Sequence, residues 1–286
     1  MFLTPRELEI FIDRALEEDS VSADVTTSAL IPSHVAARAS LIPKGPGILS
    51  GLDVAEATFK RVNPHLRFTK KLLDGDRVQD GDVVATISGS MASILSAERT
   101  ALNFLQRMSG IATLTDLYVK AVAGTKASIA DTRKTAPGLR LLDKYSVSIG
   151  GGRNHRMNLT DGVLIKDNHI AVLSGEGLSL SQTIKRARAK APHTVKIEVE
   201  VETVGAALDA SASGADIVML DNMSPAEMRN AVDEIAGNCL VEASGNVTIE
   251  NVAEVAQSGV DIISVGALTH SVRALDISLD YEMHKA

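Results

Sequence analysis

ASGADIVML, residues 212–220, recurs in similar form as QSGVDIISV at residues 257–265. Each copy passes from a helix end through Ser-Gly, a spacer residue and an aspartate into a run of apolar residues. This order is typical of the αβ half of a βα unit. Repeated βα units predict a parallel sheet, either open or closed into a barrel.

Four further apolar runs have the same character, and helical segments separate most of them: ASIADT, GVLIKDN, VKIEVEVE and LVEASG. Their uniform hydrophobicity is typical of parallel strands that are buried on both faces. An open doubly wound sheet usually has a GxGxxG fingerprint after its first strand, and none occurs here. We therefore favour an α/β barrel.

The ends of the helices are also marked in the sequence. TPRE at 4–7 and SPAE at 224–227 are capping boxes, and Gly214, Gly237 and Gly259 stand where helices would end. Residues 36–90 contain short apolar runs and tight turns, which predict a small strand-rich unit. Residues 93–123 are predicted to be helical, with an interruption near Gly110.

The composition excludes several classes of protein. Hydrophobic residues make up 45% and charged residues 23% of the 286, which are ordinary globular values. A net charge of −7 argues against non-specific nucleic-acid binding, and no run of about 18 apolar residues predicts a membrane span. The single cysteine, Cys239, cannot form an internal disulfide. With an N-terminus that lacks signal-peptide character, this predicts a cytoplasmic location.

Charged and small polar residues stand where the predicted strands end. The C-terminal ends of barrel strands carry the reactive residues of such folds. Any one of these residues alone would more simply mark the return of the chain to solvent, but the set includes charges embedded in strand patterns, and buried charges need partners or a ligand. The set comprises Asp131, Arg133, Lys134, Lys166, Asp167, Glu198, Glu200, Asp221, Asn222, Glu242, Ser244 and Gly266.

The cations among them are suited to oxyanions. Residues 131–170 contain seven lysines and arginines against four acidic residues. Arg133 and Arg156 can present planar forks to a carboxylate, whereas Lys134 and Lys166 act as point charges. His155, in GGGRNHRMN at 150–158, could donate to a carboxylate, although a lone histidine is more often structural.

Two loops and two carboxylates have further potential roles. EASGN at 242–246, ahead of a helix predicted to begin near Thr248, and SVGALTHS at 264–271 follow predicted strands, as phosphate-binding loops do, and are equally compatible with ordinary βα turns. Glu200 and Asp221 are candidate ligands for Mg²⁺, which prefers carboxylate oxygens. No HExxH motif indicates a transition-metal site.

The ordered motifs closely resemble those of the quinolinate phosphoribosyltransferases of NAD synthesis. They run through most of the chain: DVTT, ERTALNFLQRMSGIAT, DTRKTAPGLR, GGGRNHRMNLTDGVLIKDNH, KIEVEVE, VMLDNM, VEASGN and ISVGALTHS. The resemblance implies an α/β sandwich domain at residues 1–105, joined by the C-terminal segment 269–286. It further implies an incomplete, seven-stranded α/β barrel at residues 106–268, and a homodimer or an assembly of dimers.

The resemblance also implies roles for individual residues. Arg133, Lys134, His155 and Arg156 would hold the carboxylates of quinolinate, and Arg99 would reach the site from the partner subunit. Lys166, Glu200 and Asp221 would face the ribose and Mg-pyrophosphate of phosphoribosyl pyrophosphate. The 5′-phosphate would be received by Ser244, Gly245 and Gly266, and Asn246 would also bind substrate.

Alternatives remain open at this point. SVSAD at 20–24 departs from the Leu-Gly-x-Gly-Asp run that many relatives have before DVTT. A related group from molybdate-transport operons shares the fold but lacks the TRKT present here. Lys166 could instead form a Schiff base. DGDRVQDGDVVATISG at 74–89 faintly resembles a lipoyl or biotinyl domain but has no lysine to modify.

Overall fold

The computed structural model describes residues 4–282. The chain forms two units: the first comprises the described residues of Met1–Asp116, Ala136–Gly151 and Ser271–Ala286, and the second Leu117–Thr135 and Gly152–His270. Among the residues described, we find no helix long and apolar enough to cross a membrane. The domain boundaries inferred from the family resemblance stay a prediction.

The first unit combines an antiparallel sheet with helices. Its elements are α1 (Pro5–Glu18), a 3₁₀ turn (Val21–Ala23), α2 (Val25–Leu30), β1 (Ala36–Pro43), β2 (Gly47–Ile48), α3 (Leu52–Val62), β3 (Arg67–Lys70), β4 (Arg77–Val78), β5 (Ala85–Ser90), α4 (Met91–Ala121, of which residues to 116 lie in this unit), α5 (Arg140–Ile149) and β12 (Ile277–Glu282). The main sheet has the order β12-β1-β5-β3, and β2 pairs with β4. Leu41, Phe59, Ile87 and Leu105 belong to its core.

The predicted interruption near Gly110 is wrong, because α4 continues through this residue. The backbone of Arg273 and Ala274 lies so close that a Cβ at Gly110 would overlap it. Glycine therefore serves here to let another segment of the same unit approach the helix. It does not break the helix, although its intrinsic helix propensity is low.

The second unit contains all six apolar runs as strands. Its elements are β6 (Ser128–Ala130), β7 (Val163–Ile165), α6 (Asp167–Gly175), α7 (Leu180–Lys190), β8 (Ile197–Val201), α8 (Val204–Ala212), β9 (Ile217–Asp221), α9 (Pro225–Ile235), β10 (Leu240–Ser244), α10 (Val252–Gln257), β11 (Ile262–Ser264) and α11 (Ala267–His270). Both predicted capping boxes are present, and the three predicted cap glycines have positive φ.

These strands form one parallel sheet in the order β6-β11-β10-β9-β8-β7. Arg153 makes an isolated parallel bridge with Ala130 on the edge strand β6, so one further residue extends the six-stranded sheet on this side. Within residues 4–282, no ladder joins Arg153 to β7. The expected α/β fold with an incomplete barrel is confirmed, and the open seam lies between Arg153 and β7.

The repeat that predicted the sheet has a specific role in it. Asp216 accepts a hydrogen bond from Ile197 N at 2.7 Å, and Asp261 accepts one from Val241 N at 2.9 Å. Each aspartate thus anchors the first residues of a neighbouring strand. Burial alone would raise the pKa of Asp216, but the bonds from Ile197 N–H and Arg188 outweigh it and lower the pKa.

We expect Asp216→Asn to destabilise the fold by about 1–2 kcal/mol at neutral pH, because charge-assisted hydrogen bonds to the carboxylate are lost. A carboxyl group with a lower pKa in the folded state than in the unfolded state stabilises the fold when the pH is above its unfolded-state pKa. This stabilisation is lost as the pH falls through the folded-state pKa. The difference from wild type should therefore shrink below pH 3.8, the ordinary aspartate value. Urea unfolding across this range tests it. Asp209→Asn, at an exposed site on α8, is the control.

Candidate active site

A cavity of about 510 Å³ opens at the C-terminal ends of the strands in the second unit. It lies where the barrel rule predicts a reactive site. Its walls are formed by Thr132, Arg133, Lys134, His155, Arg156, Leu164, Lys166, Glu200, Met219, Asp221, Asn222, Glu242, Ser244, Gly245, Asn246 and Ser264. We refer to it as the rim cavity.

One wall of the rim cavity is cationic and contains Arg133, Lys134 and Arg156. Arg133 and Lys134 follow β6, where the carbonyl of Lys134 accepts a hydrogen bond from Thr269 Oγ1 at 2.8 Å. Partial burial and the nearby charge of Arg133 lower the pKa of Arg156. Two guanidinium groups held this close favour an anion between them.

The other wall is largely acidic. Lys166 Nζ lies 2.7 Å from Glu200 Oε2, and only 12% of the Glu200 side chain is exposed. Burial first and the negative charge of Glu200 second raise the pKa of Asp221. The pairing of Lys166 with Glu200 disfavours a Schiff-base role, which needs a desolvated neutral amine.

The glycine-rich segment before His155 is held in place by a buried carboxylate. Asp131 is fully buried and accepts hydrogen bonds from His155 N at 2.9 Å and Asn154 Nδ2 at 2.6 Å. Arg153 N also donates to Ile129 O at 2.8 Å. These bonds fix the backbone from which His155 and Arg156 extend to the rim cavity.

The imidazole of His155 faces two glutamates. Its Nδ1 accepts a hydrogen bond from Arg156 N at 2.8 Å, so the ring proton sits on Nε2 when the ring is neutral. Nε2 lies 3.1 Å from Glu198 Oε2 and 3.6 Å from Glu242 Oε2. Sequence reasoning placed both glutamates at strand ends but assigned neither to the site.

A loop with unusual backbone geometry follows β10. Gly245 has φ 85°, and Asn246 and Asn222 also have positive φ at 49° and 54°. A Cβ at Gly245 would overlap Asn222 Oδ1, which itself accepts a hydrogen bond from Asn246 Nδ2 at 2.8 Å. This close packing brings the backbone of residues 244–246 to the edge of the rim cavity.

The helix predicted to begin near Thr248 begins only at Val252. Asn251 Oδ1 accepts a hydrogen bond from Thr248 N at 2.8 Å, and the residues between them form turns. Because α10 is short and starts late, the helix N-terminus contributes less to the loop than predicted. Within this loop, the Ser244 hydroxyl and the backbone N–H groups of residues 244–246 are therefore the candidate phosphate contacts.

Two of the predicted site residues do not line the rim cavity. Gly266 packs beside Lys134, and a Cβ there would lie 3.0 Å from Lys134 Cδ, so this glycine gives room to the lysine stem. Arg99 is exposed on α4 in the first unit. Leu164 and Met219 do line the cavity but were not predicted, because apolar residues within strands look the same as core residues.

Family models match almost the whole described chain. The model described as Quinolinate phosphoribosyl transferase, N-terminal domain, matches residues 24–109, and the corresponding C-terminal domain model matches residues 111–280. Their junction falls within α4.

Individual proteins are similar over their full length. A probable carboxylating nicotinate-nucleotide pyrophosphorylase of Bacillus subtilis is 40% identical over 274 residues, covering 96% of this chain and 93% of that protein. The carboxylating nicotinate-nucleotide pyrophosphorylase of Mycobacterium leprae is 44% identical over 276 residues, covering 94% and 95%. The crystal structure of NadC from Streptococcus pyogenes superposes with a TM-score of 0.93 at 42% identity, covering 99% of both chains.

Proposed function

Because the chain belongs to the quinolinate phosphoribosyltransferase family, we propose that it transfers the phosphoribosyl group of phosphoribosyl pyrophosphate to quinolinate, with loss of CO₂. The products are nicotinate mononucleotide and pyrophosphate, and the enzyme is a pentosyltransferase of de novo NAD synthesis. The observation that supports this most directly is the rim cavity, in which a cationic wall faces an acidic one.

The cationic wall suits a pyridine dicarboxylate. Arg133 and Arg156 can each form paired hydrogen bonds with a carboxylate, and Lys134 adds a point charge beside them. Quinolinate bound in this way presents its ring nitrogen to the anomeric carbon of the second substrate. Holding the two substrates together removes most of the entropic cost of a bimolecular reaction.

The acidic wall suits the ribose. As the bond to pyrophosphate breaks, positive charge develops on the ribose ring, and the carboxylates of Glu200 and Asp221 stabilise it. Lys166 orients Glu200 and can contact the leaving phosphates. Ser244, Gly245 and Asn246 receive the 5′-phosphate through hydroxyl and backbone N–H groups.

Glu200 and Asp221 also fit a Mg²⁺ ion. Burial and then the charge of Glu200 raise the pKa of Asp221. Mg²⁺ prefers hard oxygen ligands such as these two carboxylates. A bound Mg²⁺ would neutralise the developing charge of the pyrophosphate. Once the ring nitrogen carries the ribose, it can accept the electron pair released when the 2-carboxylate leaves as CO₂.

The proposal includes a homodimer, or an assembly of dimers, in which Arg99 completes the partner's site. Its support is the family resemblance and the exposure of Arg99 on α4. Arg99→Ala and Arg133→Ala subunits should each be inactive alone. If they share sites, a mixture refolded together should regain part of the wild-type activity, because some sites then contain neither substitution. No regain after proven mixing would contradict the shared site.

We also propose a cytoplasmic location, in keeping with the free thiol of Cys239.

The reaction itself is tested by incubating the protein with quinolinate, phosphoribosyl pyrophosphate and Mg²⁺. CO₂ and pyrophosphate should appear in equal amounts and only when all three are present. Nicotinate in place of quinolinate should yield little pyrophosphate, because it lacks the second carboxylate that the cationic wall binds. Absence of both products from quinolinate would refute the proposed function.

A further inference from the structure

Three side chains form a largely buried cluster, and two of them, His155 and Glu242, line the rim cavity. His155, Glu198 and Glu242 place their ligand atoms within 4.8 Å of one another. Glu198 is 4% and Glu242 0% exposed. We call these three residues the inner cluster. Neither Glu198 nor Glu242 has a role in the substrate binding proposed above.

The inner cluster lies between two cavities of the second unit. A second cavity, of about 350 Å³, is lined by the sides of the strands nearer their N-terminal ends, including Glu198 and Lys196. It shares His155, Arg156 and Glu242 with the rim cavity. Glu242 therefore borders both cavities, whereas Glu198 borders only the second, which we call the inner cavity.

The inner cluster has fewer hydrogen-bond donors than its carboxylate oxygens can accept. Within residues 4–282, neither carboxylate oxygen of Glu242 has a hydrogen bond of normal length and angle, and the same holds for the Ser264 hydroxyl, which lies near enough to lower the pKa of Glu242. The Nε2 proton of His155 is directed mainly at Glu198. A second buried carboxylate that is ionised and unpaired would be costly, and one additional proton removes that cost.

The surroundings of Glu242 favour its protonated form. Burial, and then the charge of Glu198, raise the pKa of Glu242 to about 7, while His155 and Ser264 act in the opposite direction. The register partners of Glu242 on the adjacent strands, Met219 and Ile262, do not titrate. The titratable groups that face it are therefore Glu198 and His155, with Arg156 as the fixed charge beside them.

We propose that Glu242 is the general acid that protonates C2 of the pyridine ring after decarboxylation, an inference that rests on the proposed function. The bond from C2 to its carboxylate breaks, CO₂ leaves, and the electron pair stays on C2 beside the positively charged ring nitrogen. The O–H bond of Glu242 then breaks, and the new C–H bond forms at C2. Glu242 is left as a carboxylate.

Glu242 lines the rim cavity from β10, the part of the sheet above which we expect the reacting carbon to lie. C2 lies between the ring nitrogen, which joins the ribose, and C3, which keeps its carboxylate. The position of β10 in the sheet is similar. On one side of it lie β9 and β8, which carry Asp221 and Glu200. On the other side lie β11 and β6, and Arg133 and Lys134 follow β6. Glu242 is two residues below Ser244 and so faces the same side of the strand. Water from the inner cavity can return a proton to it.

Glu242→Gln tests the proposal, because an amide of the same shape cannot supply the proton. We expect kcat for nicotinate mononucleotide to fall about 100-fold or more, as for loss of a general acid. Pyrophosphate release in a single turnover should stay near the wild-type rate. Because an unprotonated C2 can recapture CO₂, N-ribosylated quinolinate should accumulate in quenched samples. A purely structural role would slow both steps together and would contradict the proposal.

The pH dependence gives a second test that does not depend on this variant folding. A general acid must be protonated, so wild-type kcat should fall as the pH rises through the pKa of Glu242. In Glu198→Gln the neighbouring charge is gone, the pKa of Glu242 falls, and the alkaline limb should move to lower pH. An unmoved limb would overturn the proposal. So would a tightly bound divalent metal that is present in equimolar amount in purified wild-type protein and lost in Glu242→Gln, because the inner cluster would then be a metal site.

The two proposals fail in different ways. If wild-type protein forms no nicotinate mononucleotide, the proposed function is wrong. If wild-type protein is active and Glu242→Gln matches it in kcat and in pH profile, only the role of Glu242 is wrong.

Discussion

Arg156→Ala is expected to lower kcat/KM for quinolinate by about 30-fold or more. Arg156 lines the cationic wall, and Arg133 lies close enough to lower its pKa. Truncating one partner of a buried, hydrogen-bonded charge pair costs about 2–5 kcal/mol, and 1.4 kcal/mol corresponds to tenfold. Steady-state kinetics with quinolinate varied at saturating phosphoribosyl pyrophosphate measure the effect.

Arg153→Ala is the matched control, because Arg153 is the same residue type three positions away. Arg153 is exposed and does not line the rim cavity, although it borders the inner cavity. Its backbone, which alanine retains, makes the hydrogen bonds to the β6 region. Its kcat/KM should stay within about threefold of wild type, as surface substitutions usually have small effects. Equal losses in the two variants would show that the segment needs positive charge in general and not a guanidinium at residue 156.

Asp221→Asn is expected to abolish most activity while making the protein more stable. Loss of a charge that stabilises the transition state and would bind Mg²⁺ should lower kcat by about 100-fold to 1,000-fold. The pKa of Asp221 is raised by burial and by Glu200. A carboxyl with a raised pKa is destabilising when ionised at neutral pH, so the neutral amide should raise the urea midpoint at pH 7.

Asp216→Asn provides the opposite case just before the same strand. The pKa of Asp216 is lowered, so its ionised form stabilises the fold, and its substitution should lower the urea midpoint with little change in kcat. The gain in stability of Asp221→Asn should also disappear in acid, where wild-type Asp221 becomes protonated. If the urea midpoint of Asp221→Asn at pH 7 is lower than that of wild type, ionised Asp221 does not destabilise the fold and this prediction is wrong.

The amino-acid pattern was sufficient for the fold class and for most of the rim. Parallel strands have their C-terminal ends at one edge, so the residues after each apolar run had to converge once the runs were identified. This is why the sequence alone predicts that Arg133, Lys166, Glu200 and Asp221 lie together. The repeat Ser-Gly-x-Asp likewise indicated βα units, although only the structure assigned its aspartates to the neighbouring strand.

Features that depend on close approach between distant segments were not predictable. Gly110 was interpreted as a helix break, yet it admits the backbone of residues 273–274. At Gly110 the low helix propensity of glycine was overridden by packing against a segment that is remote in sequence. Gly266, which is predicted to bind the 5′-phosphate, also lies beside Lys134, and the sequence did not predict this proximity.

By itself, the sequence determined a family, a parallel α/β sheet and one chemically distinctive rim, because periodicity and motif order are properties of a single strand or loop. Only the tertiary structure decided that Glu198 and Glu242 meet His155 under that rim. Their meeting depends on strand register and on the depth of each side chain in the barrel, which no local pattern encodes. Both glutamates are buried and stand within apolar runs of the sequence, where charged site residues are hard to recognise. The same burial favours the protonated form of Glu242.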